Sequence, residues 1–155
     1  MTGKAEVNRL KQVLDATFQR AAKVGTDPEL QSDLAQYLCV LVSGFFEKAI
    51  SELLLEHARR HGGPSVQRFI ESRTRRLTNI NSQRLEDLLG AFDSDWRRDL
   101  GLYLIDEPRA AVDSILNLRN SIAHGQSAGV TYHRVKGYYQ QVKQVVDRVA
   151  DLCAP

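Results

Sequence analysis

Seven consecutive residues, Arg119-Asn-Ser-Ile-Ala-His-Gly125, gather the groups best suited to chemistry in this chain. Arginine presents a planar fork of donors that fits two oxygens of a phosphate, and it stays charged throughout the physiological range. Histidine changes charge between about pH 5 and 8, so it can take or give a proton near neutrality. Asn120 and Ser121 stand between the two. The stretch suits the handling of a phosphate. It also has a plainer reading: Gly125 stops a helix, and His124 interacts with the negative end of that helix, worth roughly 0.3–1 kcal/mol when charged.

The element that carries these residues is a helix starting near Asp106-Glu107-Pro108. At about 100° per residue, Asp113, Asn117, Asn120, Ser121 and His124 form one polar stripe. Ala111, Val112, Ile115, Leu118 and Ile122 lie roughly opposite as the buried face. Arg119 falls on that buried face and therefore needs a partner, because an unpaired buried charge is costly. Glu47 and Glu52 are the candidate partners, and Glu47 follows directly on Phe45-Phe46 in an apolar run. In the plainer reading this pair only orients two helices. Arg119 and His124 point roughly 140° apart on an ideal helix, so loosening of the last turn, a long reach by Arg119, or a second subunit is needed to bring them together.

Helical spacing recurs along the rest of the chain, with no useful run of strand-like alternation. A first helix is expected over 5–24, ended by Gly25. Asp27-Pro28 caps a second helix running to about Arg60, apolar almost all round between Leu34 and Leu55 and hence central. Gly62-Gly63-Pro64 breaks the chain before a short basic helix to about Arg75. Asn81 caps the next helix, residues 96–104 continue helically, and Thr131 opens the last. The expectation is an all-α, single-domain bundle of about six helices spanning residues 1–155.

The totals agree with that picture and remove some function classes. A chain of 155 residues can bury a sizeable core without staples. The two cysteines make no disulfide framework or zinc motif, so a reducing, cytoplasmic location is expected. The N-terminal segment has no secretory core, and the apolar window from Tyr37 to Phe46 is too short to span a membrane. Net charge is only +2, but 15 of the 21 basic residues are Arg. Seven of them, Arg59, Arg60, Arg68, Arg73, Arg75, Arg76 and Arg84, crowd one stretch whose one acidic residue is Glu71. That stretch is either a track for a nucleic-acid backbone, with Arg73, Arg75 and Arg76 at its centre, or an idle solvated face. Tyr132, Tyr138 and Tyr139 stand at helical spacing and read as core more than as base-stacking residues. His57, His61 and His133 look scattered, and Cys39 reads as a small buried hydrophobe.

The segment L118-R-N-S-I-A-H-G125 resembles the R-x4-6-H signature of the HEPN superfamily. The helix L41-V-S-G-F-F-E-K-A-I-S-E-L55 is similar to the helix that accompanies it in HEPN nucleases. The RiboL-PSP and MAE-type groups are the ones most resembled, over residues 30–150. The resemblance implies an all-α bundle, pairing as a two-fold dimer that brings two such motifs to one cleft. It implies metal-independent endoribonuclease chemistry, as in toxins and antiviral defence effectors, with Arg119, His124 and Asn120 as the catalytic set and no cofactor. In that mechanism the RNA 2′-OH is the nucleophile. His124 moves the protons, Arg119 meets the charge growing on the phosphate, and Glu47 and Ser121 support them. RNA, a second copy and a cognate antitoxin or regulatory protein are the implied partners; a membrane is not. HEPN toxins silenced by tyrosine adenylylation carry a Tyr two residues after the His, where this chain has Gln126. The alternative is a catalytically silent HEPN module that keeps the fold and holds another protein.

Overall fold

The computed structural model describes residues 3–126 and 129–154, and all regular secondary structure among them is helical. Seven helices follow in order: α1 (Gly3–Ala22), α2 (Pro28–His61), α3 (Pro64–Thr74), α4 (Ser82–Phe92), α5 (Ser94–Tyr103), α6 (Asp106–Ala123) and α7 (Tyr132–Cys153). No helix among the described residues is long and apolar enough to cross a membrane.

Local chemistry sets most of the boundaries. The Asp27 carboxylate accepts the Glu29 N–H at 3.0 Å, with Pro28 behind it, and starts α2. Asn81 accepts the Arg84 N–H at 2.7 Å, and Thr131 accepts the Arg134 N–H at 3.2 Å. Each bond satisfies one of the N–H groups that a helix start leaves without a partner. Two boundaries depart from expectation. α1 ends at Ala22, three residues short of Gly25. Asp93 adopts an extended backbone at φ −162° and caps α5 through the Asp95 N–H at 2.7 Å, so α4 and α5 are separate and the helices number seven.

α2 is the axis of the bundle. Twelve of its residues are buried, among them Leu38, Val42, Phe45, Ile50 and Leu54. They meet Val7, Leu14 and Phe18 of α1 and the Val135–Cys153 face of α7 in one apolar cluster. Leu38 and Leu54 are wholly buried, and truncating either to Ala would cost about 2–5 kcal/mol. α2 is nevertheless not covered on every side: Tyr37 and Val40 stand 56% and 41% exposed. Tyr132 and Tyr139 are packing groups. Tyr139 stacks on Phe18 with centroids 4.7 Å apart and donates to Asp15 at 2.6 Å, and the Tyr132 hydroxyl donates to the Phe18 carbonyl at 3.0 Å.

Candidate functional site

α6 is held by its buried residues Ala111, Val112, Ile115 and Leu116, with Leu118 and Ile122 partly buried. Its polar stripe begins as structure. Asp113 accepts the Ser82 N–H at 2.8 Å, placing a carboxylate at the positive end of α4. Arg109 pairs with Glu86 at 2.9 Å and ties the two helices again. At the other end the stripe turns toward solvent. The Gly125 N–H donates to the Ile122 carbonyl at 3.0 Å and the Gln126 N–H to the Ser121 carbonyl at 2.9 Å, with Gly125 at φ +74°. This pair of bonds is a Schellman closure, which needs the left-handed conformation that glycine adopts freely. The backbone alone therefore closes the helix, and the exposed His124 ring makes no hydrogen bond or ion pair among the described residues.

Arg119 is half-buried, and its partner is not an acid. Its Nη1 donates to Asn79 Oδ1 at 2.9 Å and more weakly to Asn120 Oδ1 at 3.4 Å. Asn79 lies in the connection between α3 and α4 at φ +56°, and its own N–H donates to Glu47 Oε1 at 3.1 Å. The expected Arg119–Glu47 ion pair is thus replaced by a relay, in which one asparagine satisfies both groups with neutral dipoles. The other candidate, Glu52, pairs with Lys48 at 3.4 Å instead. The consequence is chemical. Arg119 is held in place by amide oxygens, and no carboxylate within ion-pair distance cancels its charge among the described residues. An arginine in that state has charge and donors available to an anion.

Asn120 and Ser121 are half-buried on the same final turns. No hydrogen bond joins Arg119 to His124 among the described residues. A groove of about 610 Å³ runs past Gly44, Glu47, Ser51, Arg59, Arg75 and Thr78, beside the Asn79 relay. The arginines of residues 59–84 do not form one continuous track. Arg60 pairs with Glu56 at 3.0 Å and Arg75 with Glu71 at 2.6 Å. Arg73, Arg76 and Arg84 line a separate cleft between α3 and α4. Arg73, Arg75 and Arg76 are all exposed.

Two findings lay outside the sequence reading. Asn79 has no motif around it; an asparagine in a turn-rich segment that tolerates positive φ is the only signal available. His57 and His61, read as scattered, meet with ring centroids 4.4 Å apart, and His57 lies 4.7 Å from Trp96. Their i, i+4 spacing on α2 was the available sign. Burial pulls the His57 pKa down, while a contact with the Cys153 carbonyl at 3.3 Å pulls the other way. Cys39 and Cys153 are buried free thiols, pushed up to about 11 and about 12 by desolvation, and so are poor nucleophiles. No group of three or more His, Cys, Asp or Glu is placed to hold a metal among the described residues.

The profile of the RiboL-PSP-HEPN family matches residues 5–154, nearly the whole chain, with α6 and its Arg119–His124 segment inside the match. The chain belongs to the RiboL-PSP-HEPN family. No curated protein and no solved structure gave a significant match. Membership makes this HEPN protein a nuclease-like, RNA-related module of a ribonuclease-associated family. It also agrees with the all-helical architecture expected from the sequence.

Proposed function

We propose that this HEPN protein is a metal-independent endoribonuclease in which Arg119 and His124 act in a cleft shared by two copies. The observation that carries the reading is the pairing of unlike environments on one helix end. Arg119 is fixed by Asn79 with its charge uncompensated, and His124 is free in solvent one turn further on. Arg119 binds the phosphoryl oxygens and stabilises the charge that builds as the 2′-OH attacks. His124, from one or both subunits, takes the 2′-OH proton and supplies one to the leaving 5′ oxygen. The products are a 2′,3′-cyclic phosphate and a 5′-OH. Asn120 and Ser121 hold the imidazole or the ribose, and Glu47 acts through Asn79 as a positioning residue. A toxin or defence-effector role, controlled by an antitoxin or regulatory protein, accords with such an activity.

The dimer has independent support. Tyr37, Val40, Gly44 and Glu47 share one face of α2, at i, i+3, i+7 and i+10. Its first part is exposed and apolar, and its last part enters the groove beside Asn79. A second copy seated on Tyr37 and Val40 would lie next to Arg119 and could deliver its own His124. Sedimentation across a dilution series should return a dimer; a clean monomer at micromolar concentration would count against the shared cleft. The same exposed apolar face favours the second reading, a silent module that holds another protein.

Cleavage of labelled total RNA in EDTA separates the two. Wild type should cut, and His124→Ala should cut about 10²–10⁴-fold more slowly while melting at nearly the same temperature, because the cap of α6 is backbone and Gly125. A folded His124→Ala protein that cuts as fast as wild type makes the histidine a helix end and defeats the ribonuclease reading.

A further inference from the structure

Two cavities meet between α3 and α4. The larger, about 660 Å³, is lined by Arg73, Arg76, Arg84 and Asp87. The smaller, about 300 Å³, is walled by Phe69, Ile70, Ala91 and Phe92. Arg73, Leu77 and Leu88 belong to both, so a charged chamber opens directly beside an apolar one.

The charged chamber is cationic in effect. Asp87 is engaged by Arg97 at 2.9 Å and by Gln83 at 3.1 Å. Arg84 is steadied by a bond from Nη1 to the Thr78 carbonyl at 2.9 Å, which leaves its other donors available. The Arg73 guanidinium lies 5.3 Å from the centroid of Phe69. Arg76 has no hydrogen bond or ion pair among the described residues. At the mouth of the apolar chamber Phe69 is 56% exposed, with Arg73 over one face of its ring.

We propose that this cleft is a subsite for one unpaired nucleotide of the RNA, with its phosphate on Arg73, Arg76 and Arg84 and its base against Phe69. The proposal rests on the ribonuclease reading and gives it a substrate class: RNA that is single-stranded next to the cut. Arginines that track a backbone beside an aromatic platform are the combination that single strands require. A base inside a duplex is stacked and cannot enter. Three arginines lining one chamber suit an anion with several oxygens, and the apolar chamber has room for one ring system. The subsite also adjoins the candidate active site. Thr78, which holds Arg84, is followed directly by Asn79, which holds Arg119. A nucleotide seated here would set the register of the strand over Arg119.

The test measures binding without cleavage. A fluorescent single-stranded 2′-O-methyl oligonucleotide lacks the nucleophile and stays intact; a matched strand with abasic residues carries the same phosphates. Wild type should bind the base-bearing strand more tightly than the abasic one. Phe69→Ala should weaken binding of the base-bearing strand about 5- to 150-fold and leave the abasic strand unchanged. The fold should tolerate this change, since Thr74 is the one buried residue of α3; thermal melting checks it. Arg76→Glu should weaken both strands and reduce the salt slope by about 0.7–1. Equal wild-type affinity for the two strands, or no binding of either, overturns the subsite. So does displacement of the probe by an acidic, phenylalanine-bearing peptide at lower concentration than by unlabelled oligonucleotide, which would assign the cleft to a protein partner. The outcome is separable from the ribonuclease question, because His124→Ala bears on cleavage alone and the probe is never cut.

Discussion

Replacing Asn79 separates the positioning of Arg119 from the stability of the fold. Asn79→Gly deletes the Oδ1 that receives Arg119 at 2.9 Å and keeps a backbone able to hold φ +56°. A hydrogen bond to a charged group contributes about 1.5–3 kcal/mol. Asn79 is exposed and Arg119 only half-buried, so the lower end applies, about 1.5 kcal/mol or roughly a 10-fold loss of rate. Asn79→Ala loses the same bond and, unlike the Gly variant, holds a Cβ in the left-handed region without the local hydrogen bonding that helps Asn there, which makes it about 1–2 kcal/mol less stable than Asn79→Gly. For a chain of this size that lowers Tm by a further 2–8 °C or so. The two variants should therefore share a lowered kcat, with KM little changed, and differ in melting temperature. Steady-state cleavage of a short RNA beside differential scanning fluorimetry reads both quantities. Wild-type kcat in a folded Asn79→Gly protein would refute the argument that Asn79 aims Arg119.

Two further outcomes follow from the same structure. Gly125→Ala meets no atom of the described residues beyond its chain neighbours within 4 Å of the added Cβ, so the penalty is conformational at φ +74°; it should cost about 1–2 kcal/mol, and an unchanged melting temperature would mean the Schellman closure is not formed. His57 has its pKa held below the ordinary 6.5 by burial. The unfolded chain then binds the proton more readily, so stability is full above about pH 6.5 and falls on acidification through the window down to the folded value. Melting curves from pH 7.5 to 5.5 should show wild type losing more stability than His57→Gln; parallel losses would place the acid sensitivity elsewhere.

Some of this protein was legible residue by residue. Asp27, Asn81 and Thr131 each sit beside the N–H that they cap, and Gly125 closes the helix to which it is attached, because capping is decided within a few residues. The burial of α2 was equally readable, since apolar residues on most of a helix surface leave it nowhere to lie but the interior. The anomaly of Arg119, a charge on an apolar face that needed a partner, was visible on the helical wheel. The identity of that partner was not. Asn79 is 40 positions away, and it meets Arg119 only because α3 packs against α2 and α4 against α6, which brings their connection to both Glu47 and α6. Likewise the crowded arginines form one run in sequence but separate in space. Arg59 and Arg75 line the α2 groove, while Arg73, Arg76 and Arg84 line the cleft between α3 and α4. Spacing along one helix says which residues share a face; which distant side chain meets that face depends on how helices dock, and tertiary packing alone decides it.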